Sequence, residues 1–268
     1  MPEFNPPLIF GHRGASAYAS ENSLTAFTLA VQQGAEAIEL DAHLTRDGHV
    51  VVLHDDTVDA TTNGRGAVAA MTLEQTRQLR LHARTRGKTG QLGTVVVDEP
   101  LPLLSEVLER IAPSGVTINV ELKGGPGSTL ADAVARLVAE RGLAEQVLIS
   151  SFDRATLAYV QERYGHLRRA LLFPSSNIEG MMSGMLNSQA WVTGAHMLGC
   201  EAIHPFWRVV SLGLTSRAHD LGMEVNVWTV DDAATIRRLV AMDVDGIITN
   251  DPATAHTIVR QSAGVRVG

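Results

Sequence analysis

Short apolar runs recur along the chain, and the stretches between them carry the three-to-four-residue period of amphipathic helices. Strand-like runs fall at Leu8–Phe10, Ala37–Asp41, Val50–Leu53, Thr117–Leu122, Val147–Ser150, Ala170–Phe173, Ala202–His204, Val225–Trp228 and Gly246–Thr249. Helical stretches fall at Ser23–Gln33, Leu103–Ile111, Thr129–Arg141, Arg154–Tyr164, Thr215–Leu221, Ala233–Ala241 and Ala253–Gln261. Gly34 and Gly142 stop two of them, as glycine commonly does. Several strands alternate polar with apolar positions. Glu39 and Asp41 share one face against Ile38 and Leu40, while Asn119, Glu121 and Lys123 oppose Ile118, Val120 and Leu122. Asn226 and Trp228 oppose two valines. Alone, such alternation describes an antiparallel sheet with one wet face. The helices between the strands argue for a parallel one.

Nine strands are one too many for a closed eight-stranded barrel. Only eight residues separate Asp41 from Val50, and a parallel crossover needs about a dozen. Asp47-Gly48 is a good turn pair. Val50–Leu53 is therefore expected to fold back antiparallel and bring His54 towards Asp41. The expected fold is a (β/α)8 TIM barrel, one domain over residues 1–268, with its active site at the carboxyl ends of the strands. Residues 56–100 break the alternation and contain one convincing helix, Thr72 to Leu79, started by a capping-box pattern at Thr72-Leu73-Glu74-Gln75. This segment is expected to be a small insertion after the second strand and its hairpin, a substrate lid or wall over the barrel mouth.

At 268 residues, the length suits one such barrel. A net charge of −7 argues against general nucleic-acid binding. Cys200 is the single cysteine, which excludes an internal disulfide. No secretory pattern opens the chain, and no apolar run approaches the roughly 20 residues that span a bilayer. The expectation is a cytoplasmic protein without membrane insertion; the oligomeric state stays open.

Gly11-His12-Arg13-Gly14 ends the first strand with a titratable ring and a planar cation between glycines. The glycines are expected to allow a tight turn and close approach of a ligand. The run Gly11-His12-Arg13-Gly14-Ala15-Ser16-Ala17-Tyr18 is joined by Glu21-Asn22-Ser23, Ile38-Glu39-Leu40-Asp41, Thr45-Arg46-Asp47-Gly48 and His54-Asp55. Further on come Glu121-Leu122-Lys123, Val227-Trp228-Thr229-Val230 and Asp245-Gly246-Ile247-Ile248-Thr249-Asn250-Asp251-Pro252. In this order and spacing the chain resembles the glycerophosphodiester phosphodiesterase family, from residue 8 to about 255. It departs from the family pattern at Ser20, Ser23 and Asp231, where proline, threonine and asparagine are common.

The resemblance implies a metal-dependent enzyme cleaving glycerophosphodiesters to glycerol 3-phosphate and an alcohol. It implies His12 and His54 as the acid–base pair, Glu39, Asp41 and Glu121 as metal ligands, Arg13 and Lys123 as phosphate contacts, and Trp228 as an apolar wall. The residues themselves agree. Three inward carboxylates repel one another unless a cation joins them, and all-oxygen ligands suit Mg²⁺ or Ca²⁺. With Arg13 and Lys123 the fully ionised pocket carries −1; a divalent ion makes it +1, which accepts a small phosphodiester of charge −1. The attacking oxygen can be water or the substrate's own glycerol hydroxyl. His43 is expected to border the site, and His204 with Pro205-Phe206-Trp207 to line the alcohol pocket. His166, His219 and His256 read as ordinary surface residues. Two other functions fit the same residues: lysophospholipase D-like cleavage of a lipid-bearing diester, and a barrel that binds a phosphate ligand without catalysis.

Overall fold

The computed structural model describes residues 5–86, 92–123, 128–173 and 178–266. Its strands are β1 (Leu8–His12), β2 (Ala37–Leu44), β3 (Val50–Val52), β4 (His82–Arg86), β5 (Leu92–Val96), β6 (Thr117–Leu122), β7 (Val147–Ser151), β8 (Arg168–Phe173), β9 (Ala202–Pro205), β10 (Glu224–Val227) and β11 (Gly246–Thr249). Its α-helices are α1 (Leu24–Gln32), α2 (Leu73–Arg77), α3 (Leu104–Ile111), α4 (Ser128–Glu140), α5 (Arg154–Arg163), α6 (Ile178–Met197), α7 (Leu212–Asp220), α8 (Ala233–Ala241) and α9 (Pro252–Arg266). The hydrogen-bonded order β1-β11-β10-β9-β8-β7-β6-β2 returns to β1 through a β1–β2 pairing. Eight parallel strands thus close a TIM barrel, as expected. β3 runs antiparallel to β2, with His43 opposite Val51, so the Asp47-Gly48 turn makes the expected hairpin.

The inner and outer faces of the strands bury different residues. Outward-facing Ile38, Leu40, Ile118 and Val120 pack under α1, α3 and α4 in one core, and Ile203, Val225, Val227 and Ile247 form a second with α7 and α8. Inside the barrel Phe10 packs with Ala37 and Ile248, and Leu148 with Ala170 and Ala202. This apolar plug fills the lower interior and leaves polar side chains for the strands' carboxyl ends.

Two local features, α6 and the start of α7, differ from expectation. The expected tight turn forms, with the Gly14 N–H donating to the Gly11 carbonyl at 3.1 Å; Gly14 also admits α1, with φ +81° and a Cβ there lying 2.5 Å from the Ala26 carbonyl carbon. The side chain of Ser23 caps α1 by accepting from the Ala26 N–H at 2.9 Å, drawing that helix onto the glycines. α6 was not expected; its Gly- and Met-rich sequence, bent at Asn187, has no clear apolar stripe. α7 begins at Leu212 rather than Thr215, capped by Ser211.

The 56–100 segment contains α2 with the expected Thr72–Gln75 capping box, and also the unexpected β4–β5 hairpin. Residues 87–91 of this segment lie outside the described residues. Val58, Val68, Leu79 and Leu81 form a small core with Val51 and Leu53. The segment is therefore anchored on the β2–β3 hairpin at the barrel mouth.

Candidate active site

Barrel register brings the polar ends of separate strands together. His12 on β1 is opposite Glu39 on β2, and Asp41 on β2 is opposite Glu121 on β6. One carboxylate oxygen from each of Glu39, Asp41 and Glu121 lies within 4.8 Å of the other two, and all three residues are buried. Seven of the eight predicted residues, all but Asp41, line one pocket of about 330 Å³. Asp41 sits just behind it, and its side chain is 1% exposed.

Two cations and an asparagine hold Asp41. Lys123 Nζ lies 3.1 Å from Asp41 Oδ1 and 2.6 Å from Glu121 Oε1. Arg13 Nε lies 3.3 Å from Asp41 Oδ2, and Arg13 Nη1 donates to Glu21 at 2.8 Å. The Arg13 backbone, left-handed at φ 55°, donates its N–H to Glu39 Oε2 at 3.0 Å. Asn22 Nδ2 donates to Asp41 Oδ2 at 2.8 Å. Glu21 and Asn22 belong to a motif recognised in the sequence, but nothing in their spacing revealed that they brace Arg13 and Asp41.

Burial and charge split the three carboxylates. Burial, aided by repulsion from Asp41 and Glu121, raises Glu39 well above the usual carboxylate range. Burial likewise outweighs Lys123 and lifts Glu121 to about 7. Burial acts the same way on Asp41, but Lys123 and Arg13 overcome it and hold that group down at about 2. Without a cation, burial thus favours the neutral form of the two glutamates, while Asp41 stays charged between Lys123 and Arg13. The donor set fits a hard divalent ion, since three buried carboxylate oxygens converge within 4.8 Å and an ion there would favour their charged forms.

The histidines differ in setting. His12 Nδ1 lies 2.7 Å from Asn250 Oδ1, and Asn250 Nδ2 donates to Asp231 Oδ2 at 2.6 Å. That second bond turns the amide oxygen towards His12, so the His12 proton is on Nδ1 and Nε2 keeps its lone pair. Burial, reinforced by the Arg13 charge, brings His12 down to about 4, so its ring is neutral at pH 7. His54 is at the mouth, its side chain 35% exposed and its Nδ1 2.7 Å from Asp55 Oδ1. His43 borders the site indirectly: buried behind it, it donates from Nε2 to the His54 carbonyl at 3.2 Å.

Trp228 lines the pocket, edge-to-face with Phe152 at 5.6 Å and backed by Phe206 at 5.2 Å. Of the His204–Trp207 run, only His204 lines the pocket. Trp207 packs with the outer core, and the Arg208 guanidinium lies 4.9 Å from its ring centre. Ala60, Thr61 and His82 of the 56–100 segment face a second cavity of about 220 Å³ beside Arg13 and Asp55.

Residues 12–254 match the model of the Glycerophosphoryl diester phosphodiesterase family. The chain is 34% identical over 258 residues to a glycerophosphodiester phosphodiesterase of Caldanaerobacter subterraneus, covering 95% of this chain and 98% of that protein. It superposes with a TM-score of 0.78 and 25% identity on a phosphodiesterase of Oleispira antarctica solved in complex with the product sn-glycerol-3-phosphate, covering 95% and 97% of the two chains. A glycerophosphodiester phosphodiesterase of Agrobacterium tumefaciens gives a TM-score of 0.74 at 26% identity, over 94% and 99%.

Proposed function

This chain belongs to the glycerophosphoryl diester phosphodiesterase family, and we propose that it hydrolyses small glycerophosphodiesters to sn-glycerol 3-phosphate and a free alcohol, with Glu39, Asp41 and Glu121 holding Mg²⁺ or Ca²⁺. The convergence of three buried carboxylates within 4.8 Å, beside two histidines in one pocket, carries this reading. The ion supplies positive charge for the phosphoryl oxygens. Arg13 and Lys123, already aimed at the carboxylates, supply fixed donors to the same phosphate and orient it.

His12 is the general base. Its ring is neutral, its Nδ1–H is engaged by Asn250, and its Nε2 makes no hydrogen bond among the described residues. It accepts the proton of the attacking oxygen. His54 is the general acid. Exposed at the mouth, it exchanges protons with solvent and delivers one to the alcohol that leaves outward. Asp55 fixes its ring, and His43 fixes its backbone carbonyl. Trp228 and Phe152 shield the reacting phosphate on the side opposite the charged groups.

Glycerophosphocholine, glycerophosphoethanolamine and a lysophosphatidylcholine, each assayed with Mg²⁺, Ca²⁺ and EDTA, test the proposal. Metal-dependent release of glycerol 3-phosphate from the first two is expected. Turnover of the lysolipid alone would replace this reading with the lysophospholipase D-like one, and turnover unaffected by EDTA would refute the metal site.

A further inference from the structure

The second cavity, of about 220 Å³, lies between the loop that joins β1 to α1 and the 56–100 segment. Ser20 and Glu21 wall it on the loop side, Thr61 and His82 on the other. It meets the catalytic pocket at two places. Arg13 lines both, and of the bonded pair His54–Asp55 the histidine faces the catalytic pocket while the aspartate faces the second cavity. An alcohol that takes its proton from His54 therefore has this cavity on its Asp55 side.

Three acceptors there are uncommitted. Ser20 stands where proline is common in the family, and proline would offer no side-chain oxygen. The residue is 7% exposed. Its hydroxyl has no hydrogen-bond partner among the described residues, yet its oxygen is not sealed from solvent as Ser150 Oγ is. Glu21 commits Oε1 to Arg13 at 2.8 Å, and Asp55 commits Oδ1 to His54 Nδ1 at 2.7 Å. Glu21 Oε2 and Asp55 Oδ2 accept no bond among the described residues. The Arg13 guanidinium is already held between Glu21 and Asp41. Arg13, Glu21 and Asp55 together carry −1 when ionised.

We propose that Ser20, Glu21 and Asp55 form a subsite for the amino group of the departing alcohol, a primary amine of the ethanolamine type. This rests on the phosphodiesterase reading and extends it to the alcohol that is released. A primary ammonium brings a single positive charge and three N–H donors, which match the −1 and the three open acceptors. A quaternary ammonium of equal charge has no donor and is held by aromatic faces instead. Among the described residues the lining contains no phenylalanine, tyrosine or tryptophan. Phe152 and Trp228 belong to the catalytic pocket. The 56–100 segment, by closing the cavity with Thr61 and His82, then takes part in choosing the substrate.

Steady-state kinetics with glycerophosphoethanolamine and glycerophosphocholine read the subsite. Both place a cationic nitrogen two carbons from the leaving oxygen, so they differ in methylation alone. Wild-type kcat/KM should favour the ethanolamine ester by about 10-fold or more, the effect of leaving enclosed acceptors unpaired. Ser20→Ala should cost that ester about 3–10-fold and the choline ester less than about twofold, the difference being one hydrogen bond. Ser20→Thr, which keeps the hydroxyl, should keep the preference. Equal wild-type kcat/KM for the two esters overturns the proposal. So does a preference that Ser20→Ala retains in full, or a loss that both esters share equally. A wild type that cleaves neither ester overturns the parent reading and this one with it.

Discussion

Asn250 accepts a hydrogen bond from His12 Nδ1 at 2.7 Å while donating to Asp231 at 2.6 Å. Asp231 is itself tied down, accepting from the Thr249 hydroxyl at 3.0 Å and the Asn250 N–H at 2.8 Å. The three residues form a rigid relay that dictates which His12 nitrogen is free. Asn250→Leu should therefore lower kcat by roughly 10–100-fold, the usual cost of losing a histidine's orienting partner, with KM nearly unchanged. The limb of the pH–rate profile reporting His12 should move as well. A variant with wild-type kcat and profile would show that His12 needs no such partner.

Removal of the histidines tests the division of labour. His12→Ala and His54→Ala should each cost about 10²–10⁴ in turnover, and the double variant little more than either. A nitrophenyl diester, whose leaving group needs no proton, should rescue His54→Ala and leave His12→Ala slow. Rescue of His12→Ala instead would exchange the two roles.

The carboxylates predict how stability varies with pH. Glu121 rises from 4.5 to about 7 in the folded, metal-free protein. A raised carboxyl group stabilises below its unfolded value and loses that contribution as pH climbs through the folded one. Metal-free protein should therefore melt at falling temperature between about pH 5 and 8. Asp41, lowered from 3.8 to about 2, acts oppositely: its contribution stands above pH 4 and disappears on acidification towards pH 2. A cation held by Glu39 and Glu121 would compete with protons there, so the melting-temperature gain from Mg²⁺ or Ca²⁺ should grow from pH 5 to 8. A gain that is flat across this range would disconnect the glutamates from the metal.

Gly14 is predicted to be irreplaceable for reasons of fold. Its φ of +81° and the 2.5 Å approach of the Ala26 backbone leave no room for a methyl group. Gly14→Ala should destabilise by about 2 kcal/mol or more in chemical denaturation, and shift Arg13 away from Asp41. An unchanged midpoint with full activity would contradict that packing.

The sequence made the barrel legible because its strands carry their own punctuation. The short Asp41–Val50 interval and the Asp47-Gly48 turn identified the antiparallel hairpin that reconciles nine runs with eight barrel strands. The alternation in Ile38–Asp41 and Ile118–Lys123 marked the inward carboxylates before any contact was visible. What stayed hidden lacked periodicity or depended on distant neighbours. α6 has no amphipathic stripe, and β4, His-Ala-Arg-Thr-Arg, reads as loop. Asn22 and Asn250 are short amides in recognised motifs and Asn119 one polar step in a strand's alternation, and only closure of the barrel reveals that they serve Asp41, His12 and the pocket lining.

That closure has a consequence for biosynthesis. β11 follows the seven other barrel strands in the chain, yet it zips between β1 and β10, placing Asn250 beside His12 across 238 residues of sequence. A nascent chain stalled before β11 already contains all three carboxylates of the buried cluster and both histidines. It still has nothing to orient His12, and an open seam where Leu8 and Gly11 should meet Gly246 and Thr249. Under the proposed role of His12, recovery of activity during refolding should track the formation of these long-range pairings, not the earlier appearance of helix.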